Sequence, residues 1–161
     1  MNRSPRACRE TLLIASYLEP ELVDIIRVAR DDIDVMYRPD LLHPPRYAAD
    51  HKGSDAHRTP SEEAEWLDLL GKATILFDFD RTHLGDLPEV APHVRWIQST
   101  SSGIGQFVRR QDYARRMPAT VITTASGVHA IPLAEFVAMS MLMHTRGARH
   151  VLDEQRRKHW E

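Results

Sequence analysis

The sequence predicts an α/β protein: a flavodoxin-like three-layer sandwich on a five-stranded parallel sheet, with interface helices toward its C-terminal end. Two observations carry that reading. Short apolar runs alternate with segments of helical character, and they do so five times. Parallel neighbours need long crossovers, which are right-handed helices packed on the two faces of the sheet. The first run, "TLLIAS", is also continuous rather than alternating, as expected of a strand buried on both faces. At 161 residues the chain has room for one ordinary domain and an appendage.

Each element has its own warrant. "TLLIAS" (11–16) is the first strand. "YLEPELVDIIRVAR" turns at Glu19-Pro20 and then carries Leu22, Val23, Ile26 and Val28 at near-helical spacing, with Pro20 suited to a first helical turn. "IDVMYR" (33–38) is the second strand, followed by "PDLLHPPRYAADHKGSDAHRTP", whose four prolines and weak periodicity predict a long surface excursion. "SEEAEWLDLLGK" restarts order, with Ser61 expected as N-cap, Glu62 to Glu65 at the positive end of the helix and Gly71 as its stop. "ATILFDFD" (73–80) is the third strand and "LGDLPEVAP" a short helix. "VRWIQS" (94–99) is the fourth strand, "GIGQFVRRQDYARR" one or two helical stretches, and "ATVITTA" (119–125) the fifth strand. The greasy helix in "GVHAIPLAEFVAMSMLMHTRGARH" (127–150) follows, and then a polar helix in "RHVLDEQRRKHW". The domain reading is therefore a sandwich over 1–126 and interface helices over 127–161.

Composition narrows the partners. A net charge of −2 gives no reason to expect nucleic acid or an anionic membrane. Arg27, Arg30, Arg109, Arg110, Arg115 and Arg116 read as solvated helix faces. Cys8 is the only cysteine, so an internal disulfide framework is excluded and a reducing, cytoplasmic setting is expected. No apolar run reaches membrane-spanning length.

Ligands of open parallel sheets gather beyond the carboxyl ends of the strands. Four segments end there: "SYLEP", "FDFDRTH", "QSTSSGIG" and "TASGVHA". "STSSGIG" (99–105) sets small hydroxyl residues and glycine between a strand and a helix. From residue types alone it either turns a corner or offers main-chain N–H groups to a carboxylate. Asp78 and Asp80 in "FDFD" could hold a metal or accept a phosphoryl group, but the first strand is followed only by Glu19 and the fifth by no lysine, which argues against a phosphoacceptor. His144 and His150 are six apart, off the spacing that shares a helical face. "GIG" at 103–105 finds no third glycine at Gln106 to Val108, so it is not a dinucleotide fingerprint.

Three pieces, "APHVRWIQSTSSGIGQFV", "VITTASGVHAIPLAEFVAMSMLMHTR" and "DEQRRKHW", together resemble the N-terminal part of the D-isomer-specific 2-hydroxyacid dehydrogenases. The likeness runs from the first strand to Trp160, and the order of "P-x-x-x-x-W-I-Q", the Ser-x-Gly loop and "GVHAxPxAE" is its most specific part. The resemblance implies the substrate (lid) domain of a two-domain enzyme that oxidises small D-2-hydroxy acids or reduces 2-oxo acids with NAD or NADP. It implies that Ser101, Ser102 and Gly103 present N–H groups to the substrate carboxylate, and that Tyr17 and Leu18 shape the substrate pocket. It further implies that the helix over 131–146 lies at a domain junction and pairs two subunits as a homodimer, with Glu135 fixing packing or a helix terminus; the alternative is that this helix folds back and completes the sandwich's own core.

The sequence departs from the family at Gly105, where an acidic residue is common, and carries neither the family's Gly-x-Gly-x-x-Gly turn nor its catalytic arginine, glutamate and histidine. The chain is thus expected to be truncated before the nucleotide-binding domain, to bind no NAD or NADP alone and to lack turnover alone. The competing reading is a non-catalytic flavodoxin-like dimerisation module.

Overall fold

In the computed structural model, residues 9–48, 50–54 and 57–160 are described; Cys8 lies outside them. The strands are β1 (Glu10–Ile14), β2 (Ile33–Met36), β3 (Ile75–Phe77), β4 (Trp96–Ser99) and β5 (Val121–Thr124). They form one sheet in the order β2-β1-β3-β4-β5, each neighbouring pair parallel. The chain adds strands first to one side of β1 and then to the other, so β1 and β3 flank the topological switch point. Ile14 stands beside Phe77, and Phe77 beside Gln98, which brings the carboxyl ends of the three central strands level.

The helices of this part are α1 (Pro20–Ala29), α2 (Pro60–Lys72), α3 (Leu87–Val90), α4 (Gly105–Arg110) and α5 (Tyr113–Arg116). Strand alternation assigns them to layers. Leu13, Ala15, Leu76 and Ile97 pack with Trp66 and Leu70 of α2, Leu87 of α3 and Tyr113 of α5. Ile14 turns the other way, against Leu18 and Val23 of the α1 side. The result is a three-layer sandwich of the flavodoxin-like type. Complete burial of Leu70 alone is worth about 1.5–3 kcal/mol.

Several boundaries differ from the sequence expectation. The N-cap of α2 is Thr59, not Ser61: its hydroxyl accepts from the Glu62 N–H while the Glu62 carboxylate accepts from the Thr59 N–H, with Pro60 as first helical residue. Two reciprocal bonds outcompete the single one Ser61 offers. Gly71 does not stop α2, which runs to Lys72 and is capped by Ala73. On α1 only Val23 is buried, while Val28 is 83% exposed, because the sheet covers a narrower stripe than the apolar pattern spans.

The excursion after β2 is also less superficial than its prolines imply. A 3₁₀ turn at Pro39–Leu41 sends Leu41 and Leu42 into the main core. Farther on, the buried Asp50 carboxylate accepts from Arg46 Nε at 2.7 Å and from the N–H groups of Lys52 and Gly53. The Arg46 side chain, first, and the main-chain N–H groups of Arg46 and Gly53 hold the Asp50 carboxyl well below the usual carboxylate range, against the opposing effect of burial.

By internal contacts the chain divides after Ala125. The unit from Ser126 onward holds α6 (Ala130–Thr145) and α7 (Ala148–Arg157), joined through Gly147 at φ 60°. α6 is apolar on every side, and none of its residues is buried; Ile131 is 73% and Phe136 61% exposed. α7 is polar and carries local ion pairs, Arg156 with Asp153 and Arg157 with Glu154, each at 3.1 Å. Among the described residues no helix is long and apolar enough to cross a membrane.

Candidate functional site

β3 ends at Phe77 because the next residue leaves the strand conformation: Asp78 sits at φ 67°, the left-handed region. That conformation costs an L-residue about 1–2 kcal/mol, somewhat less for aspartate, whose side chain can bond locally. Two hydrogen bonds and burial hold it. The Asp78 N–H donates to the Gln98 carbonyl at 2.8 Å, the Thr100 hydroxyl donates to Asp78 Oδ2 at 2.8 Å, and Asp78 is only 6% exposed. Backbone strain over-determined in this way clusters at functional sites.

Asp80 has a different job. Its oxygens accept from Trp66 Nε1 at 3.0 Å, the Thr82 N–H at 3.1 Å and the Thr82 hydroxyl at 2.8 Å. Those bonds tie the turn after β3 to α2. Beyond it, Arg58 lies over the Trp66 ring at 4.4 Å and donates to the Leu41 carbonyl, Glu63 and Thr82. His83 bridges Glu63 at 2.5 Å and Asp86 at 3.0 Å. Burial pushes the His83 imidazole down, but the hydrogen bonds to Asp86 and Glu63 prevail and hold its pKa above the ordinary histidine value. No group of three or more metal-ligating side chains occurs among the described residues.

The loop after β4 starts rigidly. Gln98 Oε1 accepts from the Thr123 hydroxyl at 2.7 Å, and the fully buried Ser99 hydroxyl accepts from the Ser101 N–H at 3.1 Å. The loop then opens. Ser101, Ser102 and Gly103 are exposed, and among the described residues the N–H groups of Ser102 and Gly103 meet no protein acceptor. A side chain at Gly103 would find nothing within 4 Å. Two adjacent free amides in open space are what an anion needs to approach main chain.

Between the loops after β3 and β4 lies a cavity of about 140 Å³, lined by Asp78, Phe79, Arg81, Leu84, Ser99, Ser101, Ile104 and Phe107. Its apolar floor is anchored by an aromatic cluster: Phe79 meets Phe107 edge-on at 5.0 Å and stacks on Tyr113 at 5.9 Å. Arg81 is exposed and makes no hydrogen bond or ion pair among the described residues. A wider concavity of about 750 Å³ lines one face of α7 near Trp160, but it has walls from that helix and the following residues only.

The five residues singled out from sequence thus separate. Ser101 lines the cavity, and Ser102 and Gly103 follow it on the loop. Tyr17 and Leu18 do not line it. The Leu18 side chain is core, and both its main-chain groups are engaged by the Tyr37 hydroxyl, at 3.1 Å and 2.5 Å. The Tyr17 carbonyl bonds His51 Nδ1 at 2.8 Å. On either side of this pair, however, Ser16 Oγ and Glu19 Oε2 are buried without a partner among the described residues. Such an orphan costs about 1–3 kcal/mol, which a ligand or ordered water at the switch point would recover. Residue types did not reveal Arg81; its place directly after "DFD", at a strand's carboxyl end, was the available signal.

The glycines at 103 and 105 lead into Gln106, Phe107 and Val108, with no third glycine to let a pyrophosphate approach a helix. The class defined by the fold is a flavodoxin-like α/β domain, with two main-chain N–H groups open on the loop after β4 beside a small cavity.

No family model matches the sequence. No curated protein matches it either. Among solved structures, the chain is similar to the crystal structure of phosphoglycerate dehydrogenase from Lactobacillus plantarum, at 17% identity and a TM-score of 0.44. The alignment covers 94% of this chain and 41% of that one, so the chain spans less than half the length of that dehydrogenase.

Proposed function

We propose that this chain is the substrate-binding part of an NAD(P)-dependent oxidoreductase acting on the CH–OH group of small D-2-hydroxy acids, or reducing the corresponding 2-oxo acids. The observation that carries the reading is the pair of N–H groups at Ser102 and Gly103 that are free among the described residues, beside a cavity lined by Arg81, which has no ion-pair partner among them. The amides hold the substrate carboxylate, and Arg81 supplies the counter-charge. Ser101 closes the loop, and Tyr17 and Leu18 contribute through the shape of the neighbouring loop. The motif order quoted from the sequence supports the family. In this reading NAD or NADP serves the reaction of the complete enzyme, and this chain alone is expected to give no nicotinamide reduction.

A homodimer through the helix over 131–146 is part of the same proposal, supported by the exposed apolar residues around α6. Those residues equally support the alternative, a non-catalytic dimerisation module. Carboxylate binding separates the two. Replacing Gly103 with leucine fills space that no other residue occupies, so the fold should survive while small-acid binding is lost. Unchanged acid affinity in that variant would remove the loop from the account, and no affinity in either protein would favour the dimerisation module.

A further inference from the structure

We infer that Asp78 selects the ligand's second functional group, accepting a hydrogen bond from the 2-hydroxyl of a small acid whose carboxylate lies on the Ser102 and Gly103 amides. The inference rests on the carboxylate-loop reading above and adds to it a specificity-determining residue.

Four observations lead there. Asp78 is 6% exposed and lines the cavity together with Ser101, which directly precedes Ser102 and Gly103 on the loop after β4. One of its oxygens, Oδ2, is taken by the Thr100 hydroxyl at 2.8 Å, while Oδ1 has no protein donor among the described residues. The left-handed backbone at φ 67° is pinned by the Gln98 carbonyl, so the carboxylate is oriented before any ligand arrives. The cavity, about 140 Å³, is well above the ~10–15 Å³ that one water needs, and so has room for a small organic acid.

Chemistry then decides what fits. Carboxylate oxygens only accept hydrogen bonds. A 2-hydroxyl is a donor and completes Oδ1; a 2-oxo group is an acceptor and sets two oxygens against each other; an unsubstituted carbon leaves Oδ1 unmet. Sites built around a polar group reject analogues that lack it far more strongly than apolar pockets reject a missing methylene. The like charges of Asp78 and the ligand carboxylate would repel, and Arg81, lining the same cavity without a partner among the described residues, offsets them. Asp78 would therefore discriminate the two ends of one redox couple before any hydride carrier is involved.

The test is a titration of the 161-residue chain, followed through its backbone amide resonances, with sodium D-lactate, pyruvate and propionate. D-lactate should bind about tenfold or more tightly than either of the others. Asp78→Asn retains an acceptor for Thr100, tolerates the left-handed region and turns an N–H donor toward the ligand, which a 2-oxo group can meet, and should bring the lactate-to-pyruvate ratio to about one or below. A purely structural role for Asp78 would weaken all three acids together and leave that ratio intact. Equal binding of lactate and propionate by the unsubstituted chain, or a lactate-to-pyruvate ratio that survives in Asp78→Asn, overturns the selection by Asp78 and leaves the carboxylate loop standing. If none of the three acids shifts the Ser102 and Gly103 amides, both readings fall. The ratio in the unsubstituted chain decides the matter even if the variant does not fold.

Discussion

The Thr100 hydroxyl donates to Oδ2 of Asp78 at 2.8 Å and so joins the loop after β4 to the loop after β3 across the mouth of the cavity. Thr100→Val preserves shape and removes the donor. It leaves a buried carboxylate oxygen unmet, at a cost of about 1–3 kcal/mol. Urea denaturation should show a lower midpoint with an unchanged slope. An unchanged midpoint would mean that Asp78 is held by its backbone alone.

Two glycines make opposite predictions. Gly53 has φ 72°, and a Cβ there would lie 2.5 Å from the His43 Cβ and 2.7 Å from its carbonyl oxygen. Gly53→Ala should destabilise by more than about 1 kcal/mol. Gly103 faces open space, so Gly103→Ala should fall within about 0.5 kcal/mol of the parent. Thermal unfolding of the two variants side by side checks both.

His83 predicts a pH dependence. Its imidazole pKa is raised in the folded chain by Asp86 and Glu63 against the opposing effect of burial. The unfolded reference is about 6.5. The protonated form therefore contributes stability fully below that value, and the contribution is lost as pH rises through the higher folded pKa. Stability measured from about pH 6 upward should decline for the parent and run flatter for His83→Gln. Identical profiles would show that the Glu63–His83–Asp86 bridge is neutral in effect.

The α6 proposal is checked by mass. Phe136, 61% exposed in the middle of an all-round apolar helix, is the natural centre of a helix pair. Sedimentation equilibrium should show a dimer for the parent, and Phe136→Glu should raise its dissociation constant by about thirtyfold or more. A monomeric parent would exclude the homodimer.

The sheet was legible because strands buried on both faces leave apolar runs, and five such runs separated by crossovers admit few topologies. Their ends were not legible. The run "ATILFDFD" looks continuous, yet Asp78 leaves the strand through its left-handed backbone, which residue type only permits. The start of α2 was written in Thr59-Pro60-Ser61-Glu62, but Ser61 and Thr59 both qualify by type, and only the reciprocal bond to Glu62 separates them. Leu41 and Leu42 reach the core from a proline-rich stretch without periodicity, where no pattern marks the inward side. At the site, small residues advertised the loop at 101–103. The uncommitted Arg81 did not stand out, because in sequence every arginine looks alike until its partners are known.

The most direct measurement follows the amide resonances of Ser102 and Gly103 while sodium D-lactate is added to the 161-residue chain. If main-chain donors grip the carboxylate, these two signals move most, saturate together, and stay still in Gly103→Leu. Saturating shifts confined to other residues, or an equal response in Gly103→Leu, would contradict that grip.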